Sequence, residues 1–326
     1  MDEIRIQDVS NIHIGQVEDR DAGTGCTVFI CPEGMRAGLD VRGGGPASRE
    51  NPILNPLMAA RPIHGIVLAG GSTFGLCAGN GVVNYLEEQG IGFDVGVTHV
   101  PLVVQSDLFD LGVGDPKVRP DIKMGYEAAK TAMTAPNYLD GNFGAGTGCT
   151  VGKACGITSA MKTGIGSYAI QDGDLKIGAV VALNALGNIY DIETGEIIAG
   201  MLNSGRTGTD SIPYDYRKGF GAFEENVTSN TTLSVIITNA RFSKSELCKI
   251  AGMGHDGYAR SIRPVHTSAD GDSIYAVSAG DVKADQDVVG SLAAEVISRA
   301  ITRAVKSASG AYGFPSYSDL TMLQKQ

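Results

Sequence analysis

The sequence predicts packed β-sheets with helices on their outer faces, and three observations lead there. Strand signals outnumber helix signals, hairpin turns occur beside strand-to-helix passages, and 326 residues supply surface for a large core. A regular βαβ array would alternate its elements, and this chain does not. No internal repeat or heptad run is visible, so length allows one large domain or two small ones.

Taken in order, residues 1–60 read as short strands and turns, with Gly43-Gly44-Gly45-Pro46 as the clearest break. Ile63–Ala69 is a strand that runs through Gly70-Gly71-Ser72 into a helix over about Thr73–Gln89. Ser72 is its expected N-cap and Gly90 lies just past its end. A second helix follows Pro120-Asp121 and reaches about Met133, and a Gly-rich segment, Gly144–Gly156, carries Lys153. Strands at about Ile165–Gln171 and Leu175–Leu183 are joined by Asp172-Gly173-Asp174, a hairpin turn, and Asn184 closes the second. A shorter strand continues through Ile189–Ile192. From Thr231 the chain reads as a buried strand, with Leu233, Val235, Ile236 and Ile237. Ser243-x-x-Glu246 is a capping box opening a helix to about Met253. A strand at Ser273–Ser278 precedes the last long helix, about Asp287–Ser307, whose stripe is Val289, Leu292, Val296, Ala300 and Ala304.

Composition narrows the function classes. A net charge of −10 and a pI near 5.0 argue against nucleic acid or an anionic membrane as partner and favour cationic or amine-bearing ligands. The chain begins Met1-Asp-Glu-Ile-Arg5, with no apolar leader or span, which points to a cytoplasmic protein. Its six cysteines form no C-x-x-C pair and read as reduced thiols. The two Asn-x-Thr matches at Asn226 and Asn230 carry no weight without a secretory route.

The chemistry gathers around one junction. Residues 203–230 hold glycines, a proline and many polar side chains with no sustained period, and so read as an exposed linker ending at Asn230. A cut there would leave Thr231 as a new N-terminus, with hydroxyl and α-amine on one residue: a nucleophile and its base. Other candidates are weaker. Gly70-Gly71-Ser72-Thr73-Phe74-Gly75 is like a nucleophile elbow, but its closing glycine is one residue late. Gly146–Lys153 is like a phosphate loop, but its spacing is one too long and Ala154 replaces the magnesium-binding hydroxyl. The five histidines are far apart in sequence with no H-E-x-x-H, which speaks against a metal site. Asp270-Gly271-Asp272, ahead of a strand, could hold an ammonium or hydroxyl if its carboxylates converge. Lys153 and Asn184 alone read as a surface lysine and a strand-ending amide.

Together, Asn230–Asn239, Arg263-Pro-Val-His-Thr-x-x-Asp270-Gly-Asp272, Gly65–Leu76 and Val180-Val-x-x-Asn184 resemble the DmpA/BapA-type family of self-processing N-terminal-nucleophile aminopeptidases. The nylon-oligomer hydrolase branch, which acts on 6-aminohexanoate oligomers, is the nearer look-alike, and the resemblance covers about residues 8–310. It implies a layered α-β-β-α sandwich forming one hydrolase domain over 1–326. It further implies autocleavage at Asn230/Thr231 into chains 1–230 and 231–326, a homotetramer, and no metal or organic cofactor. The implied substrate is a small amide or short oligomer with a free amine. By motif Thr231 falls on the nucleophile, Asp270 and Asp272 on the acidic pair behind it, Asn184 on the oxyanion-side amide and Lys153 on the active-site lysine. Where several relatives place a tyrosine this chain offers Phe109, which shifts oxyanion stabilisation toward Asn184 and backbone N–H groups. The rival reading is an acyltransferase resembling ornithine acetyltransferase, distinguished by whether an amine outcompetes water for the acyl group. An unprocessed binding scaffold is the alternative outside enzymology.

Overall fold

A computed structural model describes residues 1–59, 62–214 and 230–323. In chain order its principal strands are β1 (Asp2–Ile4), β2 (His13–Asp19), β3 (Thr24–Val41), β4 (Ala47–Arg49), β5 (Ile63–Ala69), β6 (Val103–Asp107), β7 (Ile165–Asp172), β8 (Leu175–Asn184), β9 (Thr231–Ala240) and β10 (Ser273–Val282). The long helices are α1 (Ala78–Glu88), α2 (Ile122–Thr134), α3 (Lys244–Ser261) and α4 (Gln286–Lys306). The ten strands form one hydrogen-bonded path, β1-β7-β8-β9-β10-β3-β5-β6-β4, with β2 also on β3. Neighbours are antiparallel except β9 with β10 and β5 with β6.

The path folds into two facing sheets because β3 serves both. Its first half pairs with β2 and β5, its second half pairs with β10, and the register shifts between Ile30 and Met35. Three apolar layers result. Leu233, Val235 and Ile237 point between the sheets toward Phe29, Ile66 and Leu68, while Ile236, on the other face of β9, joins the α3 and α4 layer with Ile250, Ile297 and Ile301. The third layer packs Val28, Val67 and Val103 against Val82 and Ala128 of α1 and α2. The period-2 alternation of β9 therefore feeds two cores at once, as a strand inside an α-β-β-α sandwich must.

Several expectations need correction. Residues 1–60 are not only short strands: β3 runs 18 residues, its Pro32-Glu33-Gly34 interruption absorbed as an irregularity, with Gly34 at φ +82°. Ser72 is not a helix N-cap. The helix proper begins at Ala78 after a 3₁₀ turn, Ser72–Cys77, and the buried Asp110 carboxylate takes the Gly71 N–H at 2.7 Å. The α3 helix continues past Met253 to Ser261, because Gly254 and Gly257 allow close packing rather than ending it. A Cβ on Gly257 would lie 2.5 Å from the Ala294 carbonyl of α4. The capping box at Ser243 and Glu246, the helix after Pro120-Asp121 and the β7–β8 hairpin are present as expected. No helix among the described residues is long and apolar enough to cross a membrane.

Candidate active site

The site forms where β9 begins. Asn230 and Thr231 are both buried, at 0% and 2% exposure, so the junction is not the exposed linker end that composition suggested. Non-local backbone bonds hold it inside. Asn230 donates its N–H to Ala269 at 2.9 Å, and its carbonyl accepts the Gly271 N–H at 2.7 Å. The same carbonyl accepts the Thr231 hydroxyl at 2.6 Å. Upstream, residues 215–229 of the expected linker lie outside the described residues.

The Asp270–Asp272 turn leads into β10, parallel to β9, and thus stands beside the Asn230–Thr231 junction. Its carboxylates flank Thr231 rather than binding its hydroxyl. Asp272 accepts the Thr232 N–H at 2.9 Å through Oδ1. Asp270 accepts the Thr267 hydroxyl at 2.5 Å and N–H at 2.9 Å, with the Leu186 N–H farther off at 3.5 Å. Burial, then the charge of Asp272, pushes the Asp270 carboxyl up to about 6. The glycine run at 43–45 packs directly against this turn. Gly43 and Gly45 donate to the Asp272 and Asp270 carbonyls, and a Cβ on Gly43 would fall 2.3 Å from Asp272 N.

On the other side of β9, Thr231 is the register partner of Asn184, the last residue of β8. The Asn184 side chain is fixed at both ends. Its Oδ1 accepts Lys153 Nζ at 2.7 Å and the Thr150 N–H at 3.1 Å, while its Nδ2 donates to the Phe109 carbonyl at 2.9 Å. Phe109 thus reaches the site through its backbone. Lys153 is buried, and burial brings its ammonium down to about 7 against the pull of Cys149, Asp270 and Asp110. It is no surface lysine. Nor does Gly146–Lys153 make a phosphate loop: Lys153 turns inward to Asn184, and only a 3₁₀ turn, Ile157–Ser159, follows.

Sequence reasoning missed three features. His266 Nδ1 lies 2.8 Å from Asp272 Oδ2, and its ring centroid is 4.7 Å from that of His255, so histidines distant in sequence meet here. Lys162 is fully buried and donates to the carbonyls of Gly146, Cys149 and Thr163, stapling the segment that carries Thr150 and Lys153. Burial lowers that ammonium to about 8. The acids flanking Leu108-Phe109 are also buried. Asp110 is pushed up to about 6 by desolvation, and Asp107 is raised well above the carboxylate range. An acid on each side of an apolar pair is a weak signal, and the Asp272–His266 contact has only the presence of both residues in the Arg263–Asp272 motif. Among the described residues no group of three or more His, Cys, Asp or Glu is placed to hold a metal ion.

What the arrangement offers is a buried amide whose carbonyl already accepts two donors, between an acidic turn and a lysine-anchored amide. The chain as a whole is similar to known proteins. An uncharacterized aminopeptidase of Mycobacterium bovis is 34% identical over 97% of this chain and 97% of its own. A 6-aminohexanoate-oligomer endohydrolase of a Kocuria species is 32% identical, over 92% of this chain and 85% of its own. A Burkholderia β-aminopeptidase structure superposes with a TM-score of 0.70 at 18% identity, covering 98% of this chain and 93% of its own. The L-aminopeptidase D-Ala-esterase/amidase of Ochrobactrum anthropi, described as a variant of the N-terminal-nucleophile hydrolase fold, gives 0.67 at 15% identity over the same shares. The fold is therefore the N-terminal-nucleophile hydrolase sandwich expected from the motifs. Residues 5–317 match peptidase family S58, and with these relatives they make the chain a hydrolase belonging to that family.

Proposed function

We propose that the chain is an amide hydrolase that matures by cutting its own Asn230–Thr231 bond and then works through Thr231. The observation that carries this reading is the pair of donors on one buried carbonyl: the Thr231 hydroxyl at 2.6 Å and the Gly271 N–H at 2.7 Å. In the first step Oγ1 attacks the Asn230 carbonyl carbon. The Thr231 nitrogen leaves with a proton, and an ester joins Asn230 to Oγ1. Gly271 N–H stabilises the negative charge that develops on the carbonyl oxygen. Water hydrolyses the ester, releasing the Asn230 carboxylate and freeing the Thr231 amine. Burial of both residues favours cleavage from within, since an outside protease has no access to the bond.

In the mature enzyme the free amine, with a reference pKa of about 7.7–8.0, takes the Oγ1 proton as Oγ1 attacks the substrate carbonyl. The proton then goes to the departing amine, and water resolves the acyl-enzyme. Asn184, held through Oδ1 by Lys153 and Thr150, keeps its second Nδ2 hydrogen for the oxyanion. Asp270 and Asp272 orient the ammonium form, and Lys153 opposes their effect on its proton affinity. With Phe109 at the tyrosine position, oxyanion stabilisation rests on Asn184 and backbone N–H groups. The names of these relatives, aminopeptidase and 6-aminohexanoate-oligomer endohydrolase, and the net charge of −10 favour substrates with a free amine, either amino-terminal amides or ω-amino-acid oligomers. Intact-mass measurement followed by a panel of amino-acid amides and 6-aminohexanoate oligomers tests the reading. We expect chains 1–230 and 231–326 and release of free amine. A single full-length species inert on every amide refutes it.

A further inference from the structure

We infer that His266 is a positioning residue of this site: it holds the Asp272 carboxylate so that its other oxygen stays on the Thr231–Thr232 backbone, with His255 and Asp40 bracing it from behind. The inference rests on the reading of Thr231 as nucleophile and adds a residue to it.

The geometry is specific. His266 makes two contacts with one carboxylate oxygen, Asp272 Oδ2, from ring Nδ1 at 2.8 Å and from its backbone N–H at 3.2 Å. The other oxygen, Oδ1, accepts Thr232 N–H. Both oxygens are thereby tied, and the carboxylate has no rotational freedom left beside the β9 start. A carboxylate is acceptor-only when ionised, so this contact places the His266 proton on Nδ1.

The backbone supports the same conclusion. His266 adopts φ +57°, in the left-handed region where non-glycine residues are uncommon. A conformation of that kind persists only where surrounding contacts hold it, and such residues cluster at functional sites. Here the contacts come from α3. The His255 ring meets the His266 ring at 4.7 Å and 74°, and the Tyr258 ring lies 5.9 Å away. His255 is itself buried, and its Nε2 faces the Asp40 carbonyl and carboxylate, each at 3.2 Å. Both partners are acceptors, so His255 carries its proton on Nε2, and burial keeps that ring neutral by lowering it to about 4. A line of contacts thus runs from the strand that begins with Thr231, through Asp272, His266 and His255, to Asp40 on β3. The titratable and charged groups around it are Asp270 and Asp272 on the turn, His255 and Tyr258 on α3, and Asp40 and Arg42 at the end of β3.

The consequence is electrostatic as well as steric. A carboxylate that shares its charge with an imidazole N–H pulls less strongly on the Thr231 ammonium. Without that donor the full charge falls on the amine, so the amine holds its proton to higher pH.

The test compares His266→Ala, His266→Asn and Thr231→Ala in the full chain. Asparagine tolerates positive φ, and its Nδ2–H occupies the place of the ring Nδ1–H. We expect His266→Ala to slow self-cleavage and lower kcat about 10- to 100-fold, as loss of a hydrogen bond to a charged group predicts, with KM little changed. We expect the acid limb of its kcat/KM profile to move to higher pH. His266→Asn restores both rates to within about threefold and returns the limb to its wild-type position. Wild-type rates in His266→Ala, an unmoved acid limb, or a His266→Asn variant as impaired as His266→Ala each overturn the assignment. Thr231→Ala separates this from the underlying reading. If that variant is cleaved normally, the nucleophile assignment fails first, whatever His266 does.

Discussion

Replacing Gly271 by Ala perturbs Thr231, the proposed nucleophile, while leaving that residue itself unchanged. The new Cβ would stand 2.6 Å from Thr231 Oγ1, against an ordinary contact of 3.4 Å or more, so about 0.8 Å of separation has to be made. The other neighbours, Gly45 O at 3.0 Å and Pro46 Cα at 3.2 Å, leave the methyl little room to retreat. Thr231 is β-branched and stiff at χ1, and its Oγ1 gives up the 2.6 Å bond to Asn230 before the backbone yields. The Gly271 N–H is untouched, so only the hydroxyl geometry changes. A displacement approaching 1 Å from a reacting position costs on the order of 10²-fold. We therefore expect self-cleavage of Gly271→Ala to be slowed about 10- to 100-fold, followed as appearance of the 231–326 chain by intact mass. Adding Thr231→Ser should recover part of the loss, because serine lacks the Cγ2 methyl and rotates more freely. Cleavage of Gly271→Ala at the wild-type rate would show that the observed hydroxyl position is not the reacting one.

Further outcomes follow from the same geometry. Thr231→Ala should block cleavage and hydrolysis together, whereas Thr231→Ser keeps measurable amounts of both; a denaturing gel and an amide assay decide. In pH–rate profiles of the processed enzymes, Asp272→Asn should move the acid limb of kcat/KM to lower pH and Lys153→Met to higher pH. An anion raises the proton affinity of the Thr231 amine and a cation lowers it, so two unmoved limbs would reduce both residues to scaffolding. Lys162→Met leaves three buried carbonyls without their donor and should destabilise the fold by roughly 1–3 kcal/mol or more, read by urea unfolding. The Lys162 ammonium falls to about 8 in the fold, below its unfolded value. The unfolded chain then holds the extra proton, and wild-type stability relative to Lys162→Met should grow as pH rises from about 8 to 10. A gap that stays constant over that window would contradict the burial of the charge.

Local pattern made some of this molecule readable in advance. The β9 strand, the β7–β8 hairpin, the helix after Pro120-Asp121 and the Ser243 capping box are each written in residues that touch their near neighbours. What failed was wherever a residue's job is set by something distant. The helix opened at Ser243 reads as ending near Met253, yet it runs to Ser261, with Gly254 and Gly257 serving its contact with α4. Residues 1–60 read as short strands and turns, yet β3 runs through Pro32 and Gly34 to pair with β5 in one half and β10 in the other. The site divides in the same way. Thr231, Asp270 and Asp272 stand out as a chemical pattern along the chain. Lys153 would pass for a surface residue until β8 and β9 pair and bring Asn184 beside Thr231. His266 depends on its own unusual φ and on α3, and neither is visible in a string of letters.

The strand order bears on what a cut at Asn230 leaves behind. The downstream piece contributes β9 and β10, which are neighbours, and upstream strands clasp them on either side: β8 along β9, β3 along β10. Its two long helices, α3 and α4, cover one face of those strands, and the other face is closed largely by residues from the first half of the chain. Such a piece is an inlay rather than a module. Severing the link alters no strand pairing, so the two polypeptides should remain together without any tether. Once melted and diluted, however, they must find each other as separate molecules, with two strands to be inserted into the middle of a sheet. Chain continuity is then needed for assembly alone, and a processed preparation should recover poorly from denaturant where the uncut Thr231→Ala chain recovers well.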